Sequence, residues 1–152
     1  MAESHEGSPV EVWAFIEKDE CGYPKSQDWE DLGAWPIDDR TVRIQSIPFF
    51  AKNIASGDIA NVTQAKKGFM AVDRIVQHCG HSIFRIFLNE KSLSNRDKVV
   101  CELKQRGADV EVTLDRLLAV DAPPEHEPVI WEYLEQGRDS KSWDLQVGYS
   151  PV

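Results

Sequence analysis

From Val10 to Asp19 the chain reads VEVWAFIEKD, with Val10, Val12, Ala14 and Ile16 at every second position. A period of two puts these four on one face of a β-strand. DWEDLGAWPIDD continues as a weaker strand carrying Trp29 and Trp35, and TVRIQSIPFF sets Val42 and Ile44 on one face until Pro48, which cannot donate to a ladder. Phe49 and Phe50, just past that strand end, are expected to plug the open end of a small barrel. IANVTQ and FMAVDRIVQHC complete five short strands, with turns at CGYPKS, Asp38-Asp39, Gly57-Asp58 and Lys66-Lys67-Gly68. Five strands at this spacing predict a small antiparallel barrel or strongly bent sheet.

After Gly80 the period changes. HSIFRIFL is a strand with Phe84, Ile86 and Leu88 inward. SNRDKVVCELKQRG predicts a helix opened by a Ser94–Asp97 capping box, striped by Val99, Val100 and Leu103, and stopped by Gly107. ADVEVTL alternates Val110, Val112 and Leu114, and LLAVDAPP is a strand ended by Pro123-Pro124. EPVIWEYLEQG is a helix with Val129, Ile130, Tyr133 and Leu134 on one face and Gly137 at its end. WDLQVGY alternates Trp143, Leu145, Val147 and Tyr149. The order β-α-β-β-α-β is that of a ferredoxin-like unit. The predicted class is therefore α+β: a leader over residues 1–8, a barrel-like subdomain over 9–79, and a ferredoxin-like subdomain over 80–152.

Charge changes this picture by its distribution. The 152 residues carry a net charge of -9, split as -8 over residues 1–40, +6 over 41–108 and -7 over 109–152. Acidic ends of this kind either pair with the basic middle or face a basic partner. A net negative surface repels phosphate, so nucleic acid is not an expected partner. No apolar run approaches the roughly 20 residues of a membrane helix, and the acids of MAESHEGSPV stand where a secretory signal would carry bases. Cys21, Cys79 and Cys101 are odd in number and unpatterned, which suits reduced thiols. A cytoplasmic location without a membrane is the expectation.

Candidate chemistry is sparse. HCGHS gathers His78, Cys79, His81 and Ser82, yet a structural zinc site needs four N or S ligands and only remote Cys101 and Cys21 remain. No metal or other cofactor is expected. Ser82 or Cys79 as a nucleophile with His81 is disfavoured, because neighbouring strand residues project to opposite faces. No nucleophile elbow or Gly-rich phosphate loop is present, so no catalytic residue is assigned. Arg85 shares a phase with Ile83 and Phe87, opposite the inward set, and reads as a solvated or ion-paired side chain. Asp58 reads as a turn residue. Trp13, Trp131 and Trp143 are core candidates. Trp29 and Trp35, among Asp28, Glu30, Asp31, Asp38 and Asp39, either cover the barrel wall or anchor a partner.

The segments VWAF (12–15), GYP (22–24), IPFFAKNIASGD (47–58), CGHSIFRI (79–86) and WDLQVGY (143–149) together resemble the bacterial family known as domain of unknown function 4265. They span most of the chain in order. The resemblance supports the fold reading and implies no activity.

Two functional expectations follow. In the first, the chain is a non-catalytic protein-binding module, such as an acidic immunity protein neutralising a basic toxin domain, with Trp29, Glu30, Asp31, Trp35, Asp38 and Asp39 on the partner face. In the second, a small ligand or substrate occupies a crevice between the two halves, lined by Phe49, Phe50, His81, Ser82 and Arg85.

Overall fold

The computed structural model describes residues 8–18, 28–64 and 68–151. Residues 1–7 of the expected leader, the CGYPKS turn with Cys21, and Lys66-Lys67 lie outside them. The chain divides into two units, 1–79 and 80–152.

The first unit is a closed barrel of β1 (Val10–Phe15), β2 (Trp29–Pro36), β3 (Thr41–Ile44), β4 (Ile59–Gln64) and β5 (Met70–Gln77). Neighbours are antiparallel, and a short parallel pairing of β1 with β5 closes the ring. The alternating pattern sends Val12, Ala14, Leu32, Ala34, Val42, Ile44, Ala60 and Val62 into the core. Small residues meet large ones across the strands: Ala34 faces Val10 and Ile44, and Ala60 faces Val42 and Ile75. That alternation fills the narrow interior of a five-stranded barrel without overpacking.

Phe49 and Phe50 are not the plug that the sequence suggests. Both are half-buried and stand outside the core cluster, and Ala51 and Ile54 fill their place. The strand ends at Ile44, before Pro48: the amides of Gln45 and Ser46 both reach the carbonyl of Gly33, at 2.9 and 3.3 Å. The chain then turns so that the amides of residues 49–51 point inward, as described below.

The second unit runs β6 (Ser82–Leu88), α1 (Glu90–Leu93), α2 (Arg96–Gln105), β7 (Asp109–Thr113), β8 (Leu117–Ala122), α3 (Glu127–Asp139) and β9 (Trp143–Tyr149). Its antiparallel sheet has the order β7-β8-β6-β9, the ferredoxin-like arrangement. One face carries Phe84, Ile86, Leu88, Val110, Leu118 and Val120, packed with Val99, Leu103, Ile130, Leu134 and Trp143.

Three local expectations are corrected. The predicted capping box does not form: Asn95 occupies the N-cap of α2, and the Ser94 hydroxyl donates to the carbonyl of Lys91 at the end of the one-turn α1. Val112 and Leu114 are exposed, leaving Val110 as the buried residue of β7. Between the paired Thr113 and Leu117 the hairpin loop is Leu114-Asp115-Arg116, and Leu114 and Asp115 both have positive φ without a Gly or Asn to announce it. Finally, Gly137 lies inside α3, which continues to Asp139. A Cβ there would sit 1.9 Å from Cζ2 of Trp143, whose indole Nε1 donates to the Leu134 carbonyl at 3.0 Å. That glycine makes room for a ring; it does not stop the helix.

Candidate functional site

Buried carboxylates organise the barrel before any site can be read. Glu30 occupies an inward position of β2, opposite Ala14, and is only 5% exposed. Its Oε2 accepts from the amide of Phe49 at 2.7 Å, and its Oε1 accepts from Phe50 and Ala51 at 3.0 and 2.8 Å. Three successive amides aimed at one carboxylate satisfy a charge that burial would otherwise penalise. Asp58, fully buried, does the same elsewhere: it accepts from the amides of Ala55 (2.9 Å) and Cys79 (2.8 Å), and Nδ1 of His78 lies 2.9 Å from its Oδ2. It is thus a loop anchor as well as a turn residue. Glu30, expected on the acidic partner face, is a structural residue of the interior.

The HCGHS segment divides between the units. His78 and Cys79 serve Asp58, with the Cys79 thiol also donating to the carbonyl of Ser56 at 3.0 Å. Beyond Gly80, at φ +98°, Nδ1 of His81 lies 2.7 Å from Oδ1 of the buried Asp121 in β8. Ser82 is buried opposite Ala122. Arg85 is 3% exposed, so the solvated reading fails. Its guanidinium lies against Gly148, where a Cβ would be 2.9 Å from Cζ, and the register shift of β9 at this point provides the space. Phe49 and Phe50 belong to the barrel unit, and His81, Ser82 and Arg85 to the other. No cluster of three metal-ligating side chains exists among the described residues.

Asp38 and Asp39 stay on the surface. The Asp38 carboxylate accepts from the amides of Arg40 (2.8 Å) and Thr41 (2.9 Å), and these bonds hold its pKa below the ordinary carboxylate value. Trp35 is half-buried beside Arg43 of β3.

The outer wall of β1 and β2 gathers what remains. The phase opposite the core reads Glu11, Trp13 and Phe15 on β1, with Glu17 just past its end, and Trp29, Asp31, Gly33 and Trp35 on β2. In register, Phe15 pairs with Trp29 and Trp13 with Asp31. Phe69, just before β5, completes a chain of edge-to-face rings: Trp13–Phe69 at 6.1 Å, Phe69–Trp29 at 5.9 Å and Trp29–Phe15 at 5.5 Å between centroids. Phe15 is 58% exposed and Trp29 36%. Glu11, Glu17 and Asp31 are exposed beside them, and Lys18, at the end of the wall, is paired with Asp28 at 3.2 Å. Trp13, read from sequence as core, therefore belongs to this wall, and Phe15 and Phe69 were missed. The signal for Phe15 lay in the second phase of VEVWAFIEKD, where Glu11 and Glu17 flank two rings.

Fold and surface together define a two-unit α+β protein whose most distinctive exposed feature is an acidic aromatic wall. The family described as "Domain of unknown function (DUF4265)" matches residues 30–145, and the chain belongs to it. A solved structure titled "Novel crystal structure of a hypothetical protein from Neisseria gonorrhoeae" is similar at a TM-score of 0.74 and 18% identity, over 96% of this chain and 100% of that one. That likeness shows the fold alone. Comparison with curated proteins gives no match. No helix among the described residues is long and apolar enough to cross a membrane.

Proposed function

We propose that this protein is a non-catalytic protein-binding module that docks a basic partner through the outer wall of its barrel, as an acidic immunity protein docks a cationic toxin domain. The observation that carries the reading is the outward phase of β1 and β2, where Phe15 and Trp29 stand exposed among Glu11, Glu17 and Asp31. Exposed rings in contact supply large rigid anchor area, the kind of surface from which binding hot spots are drawn. The acids around them, on a chain of net charge -9, steer a basic partner and accelerate its association.

The test starts from the tagged full-length protein in lysate of its source cells, at low and moderate salt. A captured protein is then purified, and its association rate is measured across a tenfold range of ionic strength. One basic protein in stoichiometric amount, a rate that falls with salt, and loss of capture by Trp29→Ala are the expected results. A rate indifferent to salt, or capture indifferent to Trp29→Ala, contradicts the proposal.

A second reading, small-ligand binding near His81, draws support from the His81–Asp121 pair, in which the carboxylate fixes one ring nitrogen and leaves the other for a ligand. A thermal-shift screen with nucleotides and metabolites tests it: a ligand at 100 times its Kd stabilises by about 2.7 kcal/mol, and His81→Ala should remove that shift.

A further inference from the structure

The rings of the barrel wall do more than expose apolar area. Trp29 is the shared member of two edge-to-face contacts, at 78° to Phe15 and 73° to Phe69. Near-perpendicular rings form corners in which a group resting on one face also meets a second ring. The face of each ring is the negative region of its quadrupole, so such a corner attracts a cation held within about 6 Å of the centroids. A plain hydrophobic anchor would gain nothing from carboxylates at the rim, whereas a cation would.

The rim is acidic. Asp31 stands directly across from Trp13 in the ladder, and Glu11 is two positions before Trp13 on the same face. The outward positions of β1 and β2 contain no Lys or Arg. A planar guanidinium suits this arrangement better than an ammonium: it is weakly hydrated, stacks on aromatic faces, and still presents edge N–H groups to a carboxylate.

We infer that the corner around Trp29 is an arginine-binding site, taking a guanidinium side chain of the partner against Trp29, Phe15 and Phe69 with Asp31 as its carboxylate acceptor. This rests on the proposed docking reading and specifies the residue of the partner that the wall selects.

The test needs no partner in hand. The ¹⁵N-labelled full chain is titrated with N-acetyl-arginine amide and with N-acetyl-citrulline amide, a neutral analogue of nearly the same shape. The five indole N–H signals are followed, and Trp29 is assigned from Trp29→Phe. The expected result is a saturable shift of the Trp29 signal by the arginine compound, at least about fivefold tighter than by citrulline, the ratio of an exposed cation–π contact of about 1 kcal/mol. Asp31→Asn, which keeps the fold because Asp31 is exposed, should weaken binding by about threefold or more and steepen none of the other indole shifts. Equal binding of the two compounds, no shift at Trp29, or an unchanged affinity in Asp31→Asn overturns the assignment. Choline binding more tightly than the arginine compound also overturns it, in favour of an alkylammonium site. If the assignment fails while capture of a basic partner still requires Trp29, the docking reading stands and only the guanidinium is wrong.

Discussion

The two units place most of their aromatic side chains on opposite sides of their sheets, the exposed Phe87 of the second unit being an exception. The barrel's core cluster contains no ring: Ala14, Ala34, Ala51 and Ala60 alternate there with Val, Leu and Ile, and Trp13, Phe15, Trp29 and Phe69 stand outside. In the ferredoxin-like unit Phe84 and Trp143 lie within the core, with Trp131 and Tyr133 packed against it. Geometry accounts for half of this difference. The narrow interior of a five-stranded barrel favours small and aliphatic side chains, whereas a sheet covered by helices leaves a layer about 10 Å deep that rings fill well. Geometry does not require the barrel to gather its excluded rings into one cluster beside acids, and that placement is the part the proposed docking addresses.

The difference extends to what pins each unit. The barrel ties its long loop to an interior carboxylate, and the second unit seals its core by interlocking a ring with a glycine. Breaking the first device should have the largest effect. Glu30→Ala strips three amides of their acceptor, one of them buried, and should lower the unfolding free energy by about 3–5 kcal/mol in urea denaturation. Glu30→Gln retains one carbonyl oxygen and should lose less. A loss under about 1 kcal/mol for Glu30→Ala would mean that the loop holds its shape without the carboxylate.

Breaking the second device comes next. Gly137→Val places atoms where the Trp143 ring lies and should cost at least about 2–3 kcal/mol, with the Trp143 fluorescence changed as the ring is displaced. A smaller effect is expected from Tyr133, half-buried against the same core under the Arg106 guanidinium, at 4.3 Å. Burial, reinforced by the Glu102 carboxylate, raises its phenol above the ordinary value near 10. The folded state therefore holds the proton more tightly than the unfolded chain. Its contribution is fully present below the ordinary tyrosine value and is lost as pH rises above it. Alkaline denaturation should be shallower in Tyr133→Phe than in wild type.

Much of this contrast could be read from the chain alone. Val10, Val12, Ala14 and Ile16 announced the inward phase of β1, and the β-α-β-β-α-β order of residues 80–152 rested on helix and strand periods that tertiary packing did not override. What escaped reading depended on long-range placement. Glu30 looks like one more acid in DWEDLG, and only the approach of residues 49–51, about twenty positions away, makes it an interior anchor. Leu114-Asp115 turns without glycine or asparagine, Gly137 resembles a helix stop until Trp143 folds back upon it, and Arg85 is buried where an open sheet face was expected. For the candidate site, Trp29 and Asp31 were legible from composition. Phe15 and Phe69 were not, because the core phase of each strand drew the reading away from the other face.

The claim at the centre of this comparison is that the barrel's rings serve binding and the second unit's rings serve folding. Urea denaturation of Trp29→Ala beside Trp143→Ala tests it most directly. The account predicts a loss of about 3–5 kcal/mol for Trp143→Ala, a buried ring with its indole hydrogen-bonded, and a smaller loss of about 1–3 kcal/mol for Trp29→Ala, the worth of its two edge-to-face contacts. Equal large losses would show that the outer wall is a structural seal, and the contrast between the two units would lose its functional meaning.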